Sequence, residues 1–160
     1  MDGQWFQFGR KQGISSAQKE KILAPEISFG GNFAYDVNGE FYSTTKIYGY
    51  IKNDNIKESY KFWLGLFNSR LFWFFIQQTG YVLRGGYFTF KTAYIHPFPV
   101  PAEIPSSVVL SIEKLVDNIL KAKENSDQFM VTELEKQVDN IIYELYNISH
   151  LEIQIINGIK

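Results

Sequence analysis

With 160 residues, 45% of them hydrophobic and 21% charged, the chain is long enough for one ordinary domain with a real core, and its composition is not that of a disordered segment. It has no cysteine, which excludes a disulfide framework and a thiolate metal site, and its longest unbroken apolar run, residues 71–76, falls far short of a membrane span. The net charge of -1 conceals two unlike halves: eleven Lys and Arg stand against seven Asp and Glu up to Pro101, a net +4, and five against ten beyond it, a net -5.

Aromatic residues divide at the same place, since all but Phe129, Tyr143 and Tyr146 precede Pro101. Two independent shifts at a proline-rich segment predict a boundary there. We read residues 1–101 as a mixed α/β body and residues 102–160 as a helical hairpin with a short terminal helix, an α+β chain in all. No basic segment followed by an apolar one opens the chain, so a cytoplasmic location is expected.

In chain order, residues 33–37 and 40–44 flank Asn38-Gly39, a pair that favours a type I′ hairpin turn because both central positions need positive φ. Asp36 and Glu40 would then be solvated hairpin ends rather than paired carboxylates. Residues 46–51 read as another strand. Residues 58–79 are helical in character but apolar around the whole circumference. Gly65 and Asn68-Ser69 are expected to divide them, with Asn68 ending one helix, Ser69 capping the next and Gly80 stopping it.

Arg84-Gly85-Gly86 supplies a tight turn into a strand at residues 87–91, which would place Tyr87, Thr89 and Lys91 on one face and Phe88 and Phe90 on the core side. Pro97, Pro99, Pro101 and Pro105 impose an extended exit. Two apolar stripes at helical spacing follow, Val108 to Leu120 and Val131 to Leu145, across a polar link at residues 125–128. They predict an antiparallel helical hairpin, and Ser149 with Glu152 has the spacing of a capping box.

Catalytic signatures are missing. No two glycines are spaced as Gly-x-Gly, which removes the usual nucleotide and S-adenosylmethionine loops. No lysine follows an acidic residue by two positions, so the acid-x-lysine half of the common nuclease motif is absent. His96 and His150 are the only histidines and have no partner at metal-ligand spacing.

Three segments occur in fixed order: Leu66-Phe67-Asn68-Ser69-Arg70-Leu71-Phe72, Arg84-Gly85-Gly86-Tyr87-Phe88-Thr89-Phe90, and Ile95-His96-Pro97-Phe98-Pro99-Val100-Pro101. Before them stand Trp5-x-x-Phe8-Gly9-Arg10-x-Gln12-Gly13 and Lys21-Ile22-Leu23-x-Pro25-x-Ile27-Ser28, and after them Leu134-x-x-x-Val138-Asp139-x-x-Ile142-Tyr143. This order resembles the TaqI-like C-terminal specificity domain, the target recognition domain of type IIG restriction enzymes and N6-adenine DNA methyltransferases. The resemblance implies a noncatalytic small mixed-sheet domain that docks on double-stranded DNA in the major groove and sets the sequence acted on by methyltransferase and nuclease domains. Those domains, with S-adenosylmethionine and magnesium, would lie on other chain. This one is then expected to be a piece of a longer enzyme or a separate specificity subunit. The family's Asn-Pro-Pro-aromatic methyltransferase motif is absent here.

Such a domain needs cations for phosphates and a few donors for base edges. The candidates are Arg84, Lys91, Tyr87, Thr89, Lys46, Arg10 and Arg70. Arg84 stands first, because it precedes two glycines that allow close backbone approach and arginine is the commonest bidentate reader of guanine. The plainer alternative is an exposed turn residue. Tyr87 taken alone reads as packed core, and Arg10 as a structural or phosphate contact. The aromatics at 63, 67, 72, 73 and 75 read as core, which argues against a carbohydrate-binding module. The rival of another class is a protein-interaction module built on the helical hairpin.

Overall fold

Helix α1 (Ile14–Ala17) is a single turn leading into strand β1 (Lys21–Pro25), the middle of a three-stranded antiparallel sheet in the computed structural model, which describes residues 13–43 and 46–158. The short strand β2 (Ile27–Ser28) follows, and β3 (Ala34–Asp36) and β4 (Ile47–Tyr50) flank β1 on either side. Two helices, α2 (Tyr60–Phe67) and α3 (Arg70–Thr79), precede β5 (Phe88–Thr89), which pairs with β2 as a separate two-stranded ribbon. After one helical turn, α4 (Thr92–Ile95), and the proline-rich strap come the long helices α5 (Ser106–Glu124) and α6 (Gln128–Leu145) and the short α7 (His150–Ile156). The architecture is α+β, as expected.

The Asn38-Gly39 hairpin does not form. Gly39 takes positive φ but Asn38 does not, so the type I′ turn lacks one of its two required conformations. The carboxylate of Asp36 instead accepts the backbone N–H groups of Glu40 at 2.9 Å and Phe41 at 3.0 Å, which turns residues 40 and 41 back onto the end of β3 rather than along it. β3 pairs with β1, and Lys21 lies opposite Asp36 in that register.

Asp36 is therefore no solvated hairpin end. Its carboxylate meets the Lys21 ammonium at 2.5 Å with both side chains almost wholly buried, and the ammonium also donates to the carbonyls of Ala17 at 2.6 Å and Lys19 at 3.3 Å. Burial pushes the Asp36 carboxyl up, but the ammonium and the two N–H donors outweigh it and hold the group below its ordinary value. The pair joins the edge strand, the central strand and the turn before it.

The Asn68-Ser69 break behaves as the sequence predicts and does more besides. Ser59 and Ser69 cap α2 and α3, accepting from Phe62 and Phe72 at 3.2 Å. Asn68 ends α2 and reaches 35 residues back along the chain, accepting from Phe33 N–H at 2.9 Å and donating to Phe33 carbonyl at 3.1 Å. A side-chain amide thus replaces a strand partner for the loop before β3. Gly65 does not divide the helix. It lies inside α2 at a close approach, where a Cβ would sit 2.7 Å from Ile112 of α5.

That contact shows how the two compositional halves meet. Phe62, Leu66, Phe72, Ile76 and Phe90 of the body are fully buried in one core with Ile112 and Ile142 of the helical arm. Tyr146 packs against Phe98 at 5.7 Å and donates its hydroxyl to Pro99 carbonyl at 2.9 Å, anchoring the arm to the strap. α5 and α6 fold back on each other through residues 125–127, and Ser149 and Glu152 form the expected capping box at α7.

Asp139 on α6 makes the remaining tie. It accepts the Arg70 backbone N–H at 2.8 Å, capping α3 from another helix, and lies 3.4 Å from the Arg70 guanidinium. Burial raises its carboxyl from 3.8 to about 6, more than the Arg70 N–H and charge lower it. A raised folded-state value stabilises the protein only where the group is protonated. That contribution is present below about pH 4 and is lost as pH rises through about 6. Asp139→Asn retains an acceptor oxygen and carries no charge. In denaturant titrations it is expected to exceed the native chain by about 1–3 kcal/mol at pH 8 and to show no gain at pH 4. A loss of equal size at both pH values would show that the Arg70 pair outweighs burial.

Candidate functional site

The β2–β5 ribbon ends in a projecting turn. Val82 and Phe88 pair across it, Leu83 N–H donates to Tyr87 carbonyl at 2.6 Å, and Gly86 N–H donates to Leu83 carbonyl at 3.2 Å. Gly85 and Gly86 both take positive φ, at 86° and 80°, a pair of conformations that side chains other than glycine's strain to adopt. Arg84 therefore sits on a tip whose path is set by the two glycines. It is exposed, and its guanidinium has no hydrogen bond or ion pair among the described residues.

A second loop is braced beside this tip. Asn32 donates its side-chain amide to Ser28 Oγ at 2.7 Å and to Phe29 carbonyl at 3.1 Å, while Asn68 clamps Phe33 as described above. These bonds hold Phe29 with 63% of its surface exposed. Its ring is in contact with Trp73 at 5.9 Å and Tyr87 at 6.0 Å, and lies 3.5 Å from where a Cβ on Gly86 would be. Ile27, Tyr81, Val82 and Tyr87 are exposed on the same ribbon and its flank. Sequence reasoning missed Phe29. The available signal was its place before Gly30-Gly31, the reverse of Tyr87 after Gly85-Gly86.

The remaining sequence candidates are partly gathered here. Glu26 N–H donates to Lys46 carbonyl and Phe90 N–H to Glu26 carbonyl, both at 2.8 Å, so the segments carrying Lys46 and Lys91 run on either side of Glu26. The Lys46 ammonium pairs with the Glu26 carboxylate at 3.0 Å, and Lys91 is exposed at the start of α4. The shared face of Tyr87, Thr89 and Lys91 does not form. The strand ends at Thr89, whose side chain is buried with its hydroxyl unpartnered, because Phe88 and Thr89 are both drawn in against β2. Tyr87 is not packed core but half exposed beside Phe29.

Arg70 faces elsewhere, holding Asp139 and, through its guanidinium, Asn157 Oδ1 at 2.9 Å. Arg10, the rest of the opening motif before Gly13, and Thr44-Thr45 lie outside the described residues. Within residues 26–31 and 81–96 the single acidic side chain is Glu26, and Lys46 neutralises it. Arg84 and Lys91 thus leave the ribbon with uncompensated positive charge.

Among the described residues no cluster of His, Asp and Glu is placed to hold a metal ion, and no helix is long and apolar enough to cross a membrane. A cavity of about 300 Å³ lies between β3, α2 and the arm, lined mainly by apolar side chains such as Leu64, Val116, Ile119 and Val138. Asp139 is its buried carboxylate, already engaged by Arg70. What the ribbon offers is an exposed guanidinium, an apolar ring and positive charge on a turn whose path two glycines set, which suits binding a polyanion with shape.

The family model for the TaqI-like C-terminal specificity domain matches residues 2–100 of the chain. Comparison with curated proteins gives no match.

Proposed function

Because the chain belongs to the TaqI-like C-terminal specificity domain family, we propose that it is the DNA-reading part of a restriction-modification enzyme and that the ribbon tip with Arg84 is its reader. The observation that carries this is the guanidinium on a glycine-built tip, without a partner among the described residues and close to the exposed Phe29 ring. A guanidinium held this way can reach guanine O6 and N7 in the major groove, while Lys91 supplies phosphate contact. Lys46 joins them in this reading as a further phosphate contact, and Arg70 acts through the arm rather than on DNA.

In this reading the chain performs no chemistry itself. It sets the sequence for methyltransferase and nuclease domains of a type IIG-like parent, which bring S-adenosylmethionine and magnesium. Adenine methylation with or without cleavage is the activity directed, in the cytoplasm.

The full chain should bind duplex DNA weakly, with affinity that falls as salt rises, since neutralised phosphates release counterions. Affinity indifferent to ionic strength would remove this binding mode. Arg84→Ala in the parent enzyme is expected to relax discrimination at one base pair by about 1–3 kcal/mol. Uniform weakening on every sequence with a shallower salt slope would make Arg84 a phosphate contact. No change in either would move the reader to Lys46 or Lys91.

A further inference from the structure

Duplex DNA offers an apolar side chain one apolar group in the major groove, the C5 methyl of a pyrimidine. Phe29 is 63% exposed and yet fixed: Trp73 and Tyr87 hold its ring, and Asn32 ties its carbonyl. A large ring kept in water on braced backbone is a feature of contact surfaces rather than of cores. Its ring lies against Gly86, two residues from Arg84. Both side chains therefore leave the same turn of the ribbon. The ribbon's one acidic side chain, Glu26, is paired with Lys46, and its other charged side chains are the cations Arg84 and Lys91, which favours DNA over a protein surface as the occupant.

We propose that Phe29 reads a C5-methylated pyrimidine, thymine or 5-methylcytosine, in the same recognition site as the guanine read by Arg84. This rests on the DNA-recognition reading above. Arg84 supplies the hydrogen-bonding half of the contact and Phe29 the apolar half. Tyr87 and Trp73 are positioning residues, which hold the ring.

The test uses the full chain and duplexes recovered from a random-sequence pool by repeated capture on it. The recovered duplexes are resynthesised with uracil for thymine, and separately with 5-methylcytosine for cytosine. The native chain is expected to bind the uracil duplexes about fourfold more weakly, the effect of one buried methyl-sized group. A gain of that size on methylated cytosine instead would identify the modified base as the source of the methyl. Phe29→Ala should lose that factor on the duplexes that carry the methyl the native chain responds to and no longer respond to either swap, with its thermal transition unchanged. Should that variant fail to fold, the native chain's response to the swaps still decides.

Salt-sensitive DNA binding with no response to any methyl overturns the inference and leaves DNA recognition standing. So does a Phe29→Ala chain that still discriminates, or one that weakens on every duplex alike. Absence of DNA binding in the native chain overturns the recognition reading and this inference together.

Discussion

Asp36→Ala is expected to destabilise the chain by about 3–5 kcal/mol in denaturant unfolding, because removing one partner of a buried ion pair leaves the other charge uncompensated. Lys21 would keep its bonds to the Ala17 and Lys19 carbonyls but lose its counter-charge, with its side chain 1% exposed. The N–H groups of Glu40 and Phe41 would lose their acceptors as well. Lys21→Met combined with Asp36→Asn should recover most of the loss, since it removes the stranded charge and restores an acceptor oxygen. The pH dependence is opposite to that of Asp139. The Asp36 carboxyl is held below its ordinary value, so its stabilisation is present above about pH 4 and is lost as pH falls through the folded-state value. Asp36→Ala should therefore show a shallower acid limb than the native chain. A cost under about 1 kcal/mol with an unchanged acid limb would show that the pair is no keystone of the sheet.

Ending the chain at Pro101 is expected to abolish cooperative folding. Ile112 and Val116 cover Gly65 on α2, Val138 lies beside them, and Tyr146 covers Phe98. Truncating a single fully buried side chain such as Ile112 or Ile142 to alanine costs about 2–5 kcal/mol, against a total stability of about 5–15 kcal/mol for a typical domain. Losing every such residue in the arm at once exceeds that total. Soluble yield, far-ultraviolet circular dichroism and a thermal melt of residues 1–101 would check this. A sharp melt from the fragment would show that the body carries its own core. If such a folded fragment lost DNA binding, the arm would have to be counted in the recognition surface.

The helical parts were legible because their determinants are local. Apolar residues at helical spacing, Ser69 and Ser149 as caps, and the Asn68 stop act within a few residues of themselves. The turn at Arg84-Gly85-Gly86 was legible for the same reason, since positive φ at two successive positions requires glycine. The Asn38-Gly39 signal misled because a nonlocal partner won. Once β1 pairs with β3, Asp36 is buried against Lys21 and its carboxylate holds the backbone N–H groups of Glu40 and Phe41.

Composition correctly marked where charge and aromatics shift, yet it could not show that the two halves share a core. That sharing depends on Gly65 admitting α5, a contact between residues 47 positions apart. The recognition family could be argued from motif order alone, and Arg84 could be put forward as its reader. Which candidates stand beside Arg84 could not. Thr89 was lost to the interior, Arg70 turned to the arm, and Phe29 arrived from a distant loop through β2–β5 pairing and the Asn32 and Asn68 braces. The sequence by itself determined the longer helices, the caps at Ser69 and Ser149, the glycine tip and the absence of the sought catalytic motifs, because each is set by short-range sterics or by residue type. Tertiary structure decided burial, exposure and neighbourhood, because these follow from pairing between segments that the chain brings together only when folded.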